Sequence, residues 1–375
     1  MTEPTEKRVT WAELFFDLVL VFAMTRIVTL LHADHSWAGV GLALIVFVPT
    51  YWAWVGTSVH ANLHDTDNTI DRAGILTLAL CALFMAVALP DAYGKTGLLF
   101  GGAYFAHRAI LAVLYFRGRP LTLVTPLVAA CVSGPLMLFG GLLPTPTRTV
   151  LWGLAAVVDL ATPRILRPRM TTLIFDTGHL VERFGLFVII ALGESVVNIG
   201  AAAAGLPDLT GLTLIAVAAS FVLAGALWWV YFVYATSAIR HALATAQIQT
   251  DIVRPVLSWG HLSFVGAIIA FAVGLVEVVA HPDHHLDLDT AALLFGGVGL
   301  YLATFGYTRY RMFRTWSKTR LSTAAVVLIL LPLAPTVPAL AALGGLTLVV
   351  VALNVIEWAI VTRTTVEQDT RGGAR

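Results

Sequence analysis

Long apolar stretches, cut by short polar segments, set the pattern of this chain. A helix rises about 1.5 Å per residue, so about 20 consecutive apolar residues cross the hydrocarbon layer of a bilayer. Twelve stretches meet that length. They are Trp11–Leu31, Trp37–Val59, Ala73–Leu89, Gly97–Phe116, Leu121–Leu142, Thr149–Leu166, Phe184–Ala204, Gly211–Thr236, Val256–Ala280, Ala291–Thr308, Leu321–Leu340 and Ala342–Val361. The sixth is interrupted by Asp159 and Pro163, and Pro332, Pro335 and Pro338 interrupt the eleventh. The predicted fold is all-α: a polytopic integral membrane bundle of about twelve helices.

The polar segments give the chain a direction. Cytoplasmic loops of membrane proteins carry an excess of Lys and Arg. With the N-terminus inside, the basic residues fall in alternate segments. Only Lys95 and Arg148 lie in outer segments, and Arg26 and Arg108 lie within spans. Every other basic residue, among them Lys7, Arg72, Arg117, Arg119, Arg167, Arg183, Arg254, Arg311 and Arg363, is on the inner side. Both termini are therefore expected in the cytoplasm of a cell in whose membrane the protein sits. The predicted organisation is a cytoplasmic N-terminus (1–10), a first six-helix half (11–166), a basic linker (167–183), a second half (184–361) and a disordered tail (362–375).

The halves echo each other. Leu98-Leu99-Phe100-Gly101-Gly102 opens the fourth stretch and Leu293-Leu294-Phe295-Gly296-Gly297 the tenth. Pro90-Asp91 precedes the first of these and Pro282-Asp283 the second. Glu13-Leu14-Phe15 is matched by Glu182-Arg183-Phe184, and Trp52 and Trp54 by Trp228 and Trp229. Four matches in one order predict a parallel six-plus-six repeat.

Composition narrows the function. Of the 375 residues 58% are hydrophobic and 12% charged, about half the charge of a soluble domain. That excludes a soluble enzyme. A net charge of +1 with no basic stripe also argues against nucleic acid as a partner. The two cysteines, Cys81 and Cys131, lie in apolar stretches and form neither a disulfide framework nor a Cys-rich metal site. The segment after the polar N-terminus carries Glu13, Asp17 and Arg26, which a cleavable signal would avoid. No nucleophile elbow and no phosphate-binding loop is present.

Charge inside the bilayer is costly and invites a functional reading. Arg108, Asp159 and Glu194 each fall about ten residues into a stretch, near the midplane. Asp17 lies one turn beyond Glu13 on the same helix face. The expectation is an intramembrane polar centre of Arg108, Asp159 and Glu194 between the halves, with Asp17 and Asn198 nearby. Gly193 and Ser195 beside Glu194 would let another helix approach. Such a centre serves either as an ion or proton pathway or as an ion-pair network that sets helix register. Glu13, Glu277 and Glu357, near stretch ends, are expected to reach headgroups or water. His60 and His64, one turn apart and followed by Asp65 and Asp67, have the spacing of two ligands on one helix face and form a weak divalent-metal candidate. No cofactor is otherwise expected.

Several of these segments resemble one family. Trp11-Ala12-Glu13-Leu14-Phe15-Phe16-Asp17-Leu18-Val19, then Asn62 with Asp65-Thr66-Asp67 and Arg72, then Pro90-Asp91-Ala92-Tyr93 and Tyr104 with Arg108, are similar to signatures of the bacterial low-temperature-requirement protein A family. The central segment from Glu182, Arg183 and Phe184 through Gly193-Glu194-Ser195 carries the most specific resemblance. Trp228-Trp229-Val230-Tyr231-Phe232, His261, Gly266, Gly274, Glu277 and His281-Pro282 come after it. Val233 stands where many relatives have an acid. The resemblance implies a bacterial membrane protein and carries no catalytic residue with it. Three functions stay open. One is a proton- or cation-coupled transporter or channel-like protein for a small ion or molecule. Another is a membrane-embedded, lipid-modifying enzyme built on the inner His/Asp cluster. The last is an accessory protein of cold adaptation. An enzyme is the less favoured of these.

Overall fold

A computed structural model describes residues 7–117 and 125–372, without the side chains of 364–372. It is helical, with no strand among the described residues. Twelve helices match the twelve apolar stretches. They begin with α1 (Trp11–Ala33), α2 (Trp37–Leu63), α3 (Thr69–Asp91), α4 (Gly97–Phe116), α5 (Thr125–Leu142) and α6 (Thr145–Ile165). They continue with α7 (Thr177–Ala204), α8 (Gly211–Thr245), α9 (Thr250–Ala280), α10 (Leu288–Phe313), α11 (Lys318–Thr336) and α12 (Ala339–Gly372). Eleven are long and apolar enough to cross a membrane. The exception is α6, which carries Arg148, Asp159 and Arg164. Its Arg148 and Asp159 are buried against protein, so α6 needs less apolar surface than its neighbours.

Helix starts follow local capping chemistry. The first turn of a helix leaves backbone N–H groups without partners, and a short polar side chain satisfies them. Thr10 caps α1 in a reciprocal box with Glu13, Ser36 caps α2, Asn68 caps α3, Thr210 caps α8 and Asp287 caps α10. Helices in lipid are apolar on every side, and Leu18, Ile329 and Leu348 are all more than 60% exposed. These faces are the lipid surface of a polytopic membrane protein.

Two compact units make up the chain. The first holds residues 1–194 and 238–269, the second 195–237 and 270–375. Within the first, α1 packs on α2 and α3, α3 on α4, α4 on α5, α5 on α6 and α6 back on α2, a closed ring of six helices. Gly101 is essential to this ring, because a Cβ there would meet the Met137 carbonyl oxygen of α5 at 2.1 Å. Within the second, α10 packs on α11, α11 on α12 and α12 on α8.

Two boundaries differ from expectation. The stretch 167–183 is not all linker: a one-turn helix spans Arg167–Met170 and α7 begins at Thr177. Hence His179 and Arg183 are helical and can pair one turn apart. The helix α12 runs on to Gly372 where a disordered tail from 362 was expected, and residues 373–375 lie outside the described part. The expected starting residues of the fifth stretch, 121–124, and Arg119 also lie outside it.

Candidate functional site

Glu13 and Asp17 stand one turn apart on α1, and His179 and Arg183 one turn apart on α7. Residues at this spacing share a helix face. Two acids on one helix thus meet an imidazole and a guanidinium on another, and all four are 0% exposed. Arg183 divides its donors. Nη1 bonds Glu13 Oε2, Nη2 donates to Asp17 Oδ1 at 3.0 Å, and Nε donates to Ser58 Oγ at 2.8 Å. Trp54 Nε1 donates to the same Asp17 oxygen at 2.7 Å. Glu13 Oε1 accepts from Thr10 Oγ1 at 2.9 Å and Thr66 Oγ1 at 3.2 Å.

The bonding around His179 assigns its tautomer. Asn62 donates its amide to the Asp176 carbonyl and accepts from the Asp176 N–H, which orients the amide group. The same Asn62 Nδ2 lies 3.1 Å from His179 Nδ1, which is therefore an acceptor. Nε2 then donates to Glu13 Oε2 at 3.0 Å. The cluster brings two carboxylates together with one guanidinium and one imidazole. Asp17 Oδ2 is buried without a hydrogen-bond partner. Trp54, stacked on Phe187 at 4.0 Å and edge-on to Phe184 at 4.7 Å, walls the group off from water.

Lys7, just outside the membrane, completes the end of this region. Its ammonium bonds the carbonyls of Ala61 and His64 at the end of α2, and its backbone N–H donates to Asp176 Oδ2 at 3.2 Å. Burial holds its pKa below the ordinary 10.5, against the attraction of Glu13, Asp65, Asp176 and Asp67.

A second buried group joins α4, α5 and α6. Arg108 Nη2 donates to Asp159 Oδ2 at 3.2 Å, Nε to Tyr104 Oη at 2.8 Å and Nη1 to the Trp52 carbonyl at 3.1 Å. Asp159 also accepts from Ser133 Oγ at 2.8 Å and from the Tyr104 hydroxyl. Arg108 and Asp159 are 3% and 2% exposed.

Of the five expected members of the polar centre, two meet as a pair and a third pairs elsewhere. Arg108 and Asp159 pair with each other, Asp17 pairs with Arg183, and Glu194 accepts from Thr25 Oγ1 at 2.5 Å. Glu194 is half-buried, and Asn198, also half-buried, belongs to the second unit. A Cβ at Gly193 would meet open space, so no helix uses that glycine for close approach. Glu13 does not reach water: α7 covers it with Arg183 and His179. Glu357 does not either, because Arg320 binds it through two hydrogen bonds of 2.8 Å. Glu277 is half-buried, 3.9 Å from His281, and Glu182 is exposed. His60 stacks on His64 at 4.4 Å and lies 3.9 Å from Asp71, whereas Asp65 and Asp67 are exposed, Asp67 against Arg72. Among the described residues no three His, Cys, Asp or Glu side chains converge as for a metal ion.

Charge position along the chain does not reveal Arg183 as a partner of Asp17, because a basic residue beside a span serves topology equally well. The signal was the matched spacing: acids four apart near one helix start and His-x-x-x-Arg near another.

Such a chain, with membrane-length apolar helices and charge buried between them, is a polytopic membrane protein of the bilayer. The model of the bacterial low temperature requirement A protein (LtrA) family matches residues 8–355, and the chain belongs to that family. It is also similar to an uncharacterized protein of Rhizobium meliloti (strain 1021), 34% identical over 314 residues, covering 80% of this chain and 76% of the relative. No solved structure matches.

Proposed function

We propose that the protein is a proton-coupled transporter or channel-like protein of the cell membrane, with both termini in the cytoplasm, and that Asp17 carries the proton. One observation supports this above the rest: two buried carboxylates face one guanidinium, beside an imidazole whose Nδ1 accepts a hydrogen bond, and Asp17 Oδ2 has no hydrogen bond. An uncompensated charge in a low-dielectric interior costs several kcal/mol, so the group favours one added proton. Its seat is the oxygen that nothing else occupies. Lys7 near Glu13 does not remove the imbalance, since Asp65, Asp67 and Asp176 share it.

A parallel repeat fits this reading, because alternating access commonly works between two related halves. In support, the pairings α4–α5, α5–α6 and α2–α6 of the first unit recur as α10–α11, α11–α12 and α8–α12 in the second.

The test is proton flux in proteoliposomes holding a pH dye. Wild-type protein dissipates an imposed proton gradient, and Asp17→Asn abolishes this while eluting as a folded species. Glu194→Gln reports whether the half-buried acid on α7 shares the path. Wild-type vesicles that pass no H⁺, Na⁺ or K⁺ overturn the reading.

A further inference from the structure

The first unit contains a cavity that the proton site does not use. It lies beside the Arg108–Asp159 pair, between α2, α4, α5, α6 and the start of α9, and encloses about 80 Å³. A water needs roughly 10–15 Å³ of such space, so a guest of about five or six heavy atoms fits. The floor is Arg108 and Asp159, near mid-helix. The mouth includes Phe175 and Arg254, at the end of the ring where α2 and α4 finish and α5 and α9 begin.

Three features make this a built site. First, its charge is positive. Asp159 already accepts from Arg108, Tyr104 and Ser133, so its oxygens are taken. Arg108 has five N–H donors and commits three of them, which leaves two for a guest. Arg254, 9% exposed, adds a second guanidinium. It pairs with Asp251 at 4.0 Å, a carboxylate that Arg167 also binds through hydrogen bonds of 2.7 and 2.6 Å, and its Nη1 donates to the Pro163 carbonyl at 3.3 Å. The cavity wall therefore holds two guanidinium groups and one carboxylate.

Second, the remaining walls are apolar, with Val55, Val59 and Leu111 among them. Gly56 leaves room for the arginine, since a Cβ there would stand 3.0 Å from Arg108 Nη1.

Third, the backbone is deformed here. The two π-helical stretches among the described residues, Ala129–Ser133 and Val253–Gly260, both border this cavity. A π-helical turn costs regular hydrogen bonding and concentrates at functional sites. Each stretch widens its helix where Asp159's partner Ser133 and where Arg254 must enter the ring.

We propose that this cavity binds a small organic monocarboxylate: the carboxylate on the two remaining donors of Arg108, the short apolar tail against Val55, Val59 and Leu111, with the Arg254 charge at the mouth favouring an anion. This names the substrate class of the transporter reading, and depends on that reading only for the steps after binding. A cation is disfavoured by two guanidinium groups. A neutral guest would offset neither of their charges in a poorly hydrated space.

Equilibrium binding of radiolabelled butyrate to the purified full chain tests this. Saturable binding is expected, displaced by unlabelled butyrate, weakly by butyramide and not by butylammonium. Arg254→Gln should weaken binding severalfold, about tenfold at most, by removing one of the two positive charges that favour an anion. Arg108→Gln strands Asp159 and can unfold the ring, so Val59→Trp serves as a second variant. It fills the cavity from α2 and should abolish binding with an unchanged elution profile. No saturable binding to folded wild-type protein, equal displacement by butylammonium, or undiminished binding by both variants overturns the proposal. Proton flux without butyrate binding would sink this site and leave the transporter reading. Butyrate binding without any ion flux would do the reverse.

Discussion

Removing Arg183 strands two buried acids at once. Arg183→Gln should therefore destabilise the protein by about 3–5 kcal/mol, the cost of breaking a buried ion pair from one side. Thermal unfolding in detergent measures it, and Asp17→Asn, which removes a charge already in excess, should cost clearly less. Equal losses for the two would mean that the cluster is balanced and holds no extra proton. Lys7 gives a pH signature of its own. Its folded pKa lies below the unfolded value of 10.5, so between the two the unfolded chain holds a proton that the folded one has shed. Its contribution to stability then rises with pH through that window and levels off above about 10.5. Lys7→Met should flatten this part of the stability profile. At this scale much of the chemistry was legible: Asp17, Arg108 and Asp159 are buried and paired because their depth leaves them no water. Glu13 and Glu357 were not legible in this way, since depth alone puts both within reach of headgroups. Arg183 and Arg320 on other helices decide otherwise.

Helices are placed by small residues and by buried polar pairs. Gly101 receives the Met137 carbonyl of α5, so Gly101→Val should open the α4–α5 contact and destabilise the fold by about 1–3 kcal/mol or more. Gly193→Ala meets open space on α7 and should be tolerated, with a small gain from helix propensity. Thermal melts of the two variants side by side check the contrast. Arg108 and Asp159 tie α4 to α6. Replacing both with apolar residues of similar volume, Arg108→Met with Asp159→Leu, should restore much of the stability that either single change loses. Helix positions were readable from apolar length, and their starts from Thr10, Ser36, Asn68, Thr210 and Asp287 as caps. Two things were not. The start of α7 at Thr177 lies in a basic segment that reads as a linker. The widened turns in α5 and α9 carry no hydrophobic signal, because they change hydrogen-bond register and not residue type.

For the whole molecule, twelve crossings would return the chain to the side on which it began. Single cysteines placed at positions 8 and 363, in a background lacking Cys81 and Cys131, should both react with an impermeant thiol reagent only from the cytoplasmic side. Labelling from opposite sides would remove one helix from the membrane, and α6, the least apolar, would be the one. The order of apolar and basic segments alone determined the class of protein, the number of its helices and the direction expected of them. That is so because lipid tolerates neither unpaired backbone nor unpaired charge, and the pattern must respect both along the chain itself. Only the tertiary structure decided which charges meet. Pairing Glu13 and Asp17 with His179 and Arg183 spans more than 160 residues, and the Arg108–Asp159 floor joins α4 to α6. Contacts of that separation arise from how helices pack side by side, a property no single segment carries.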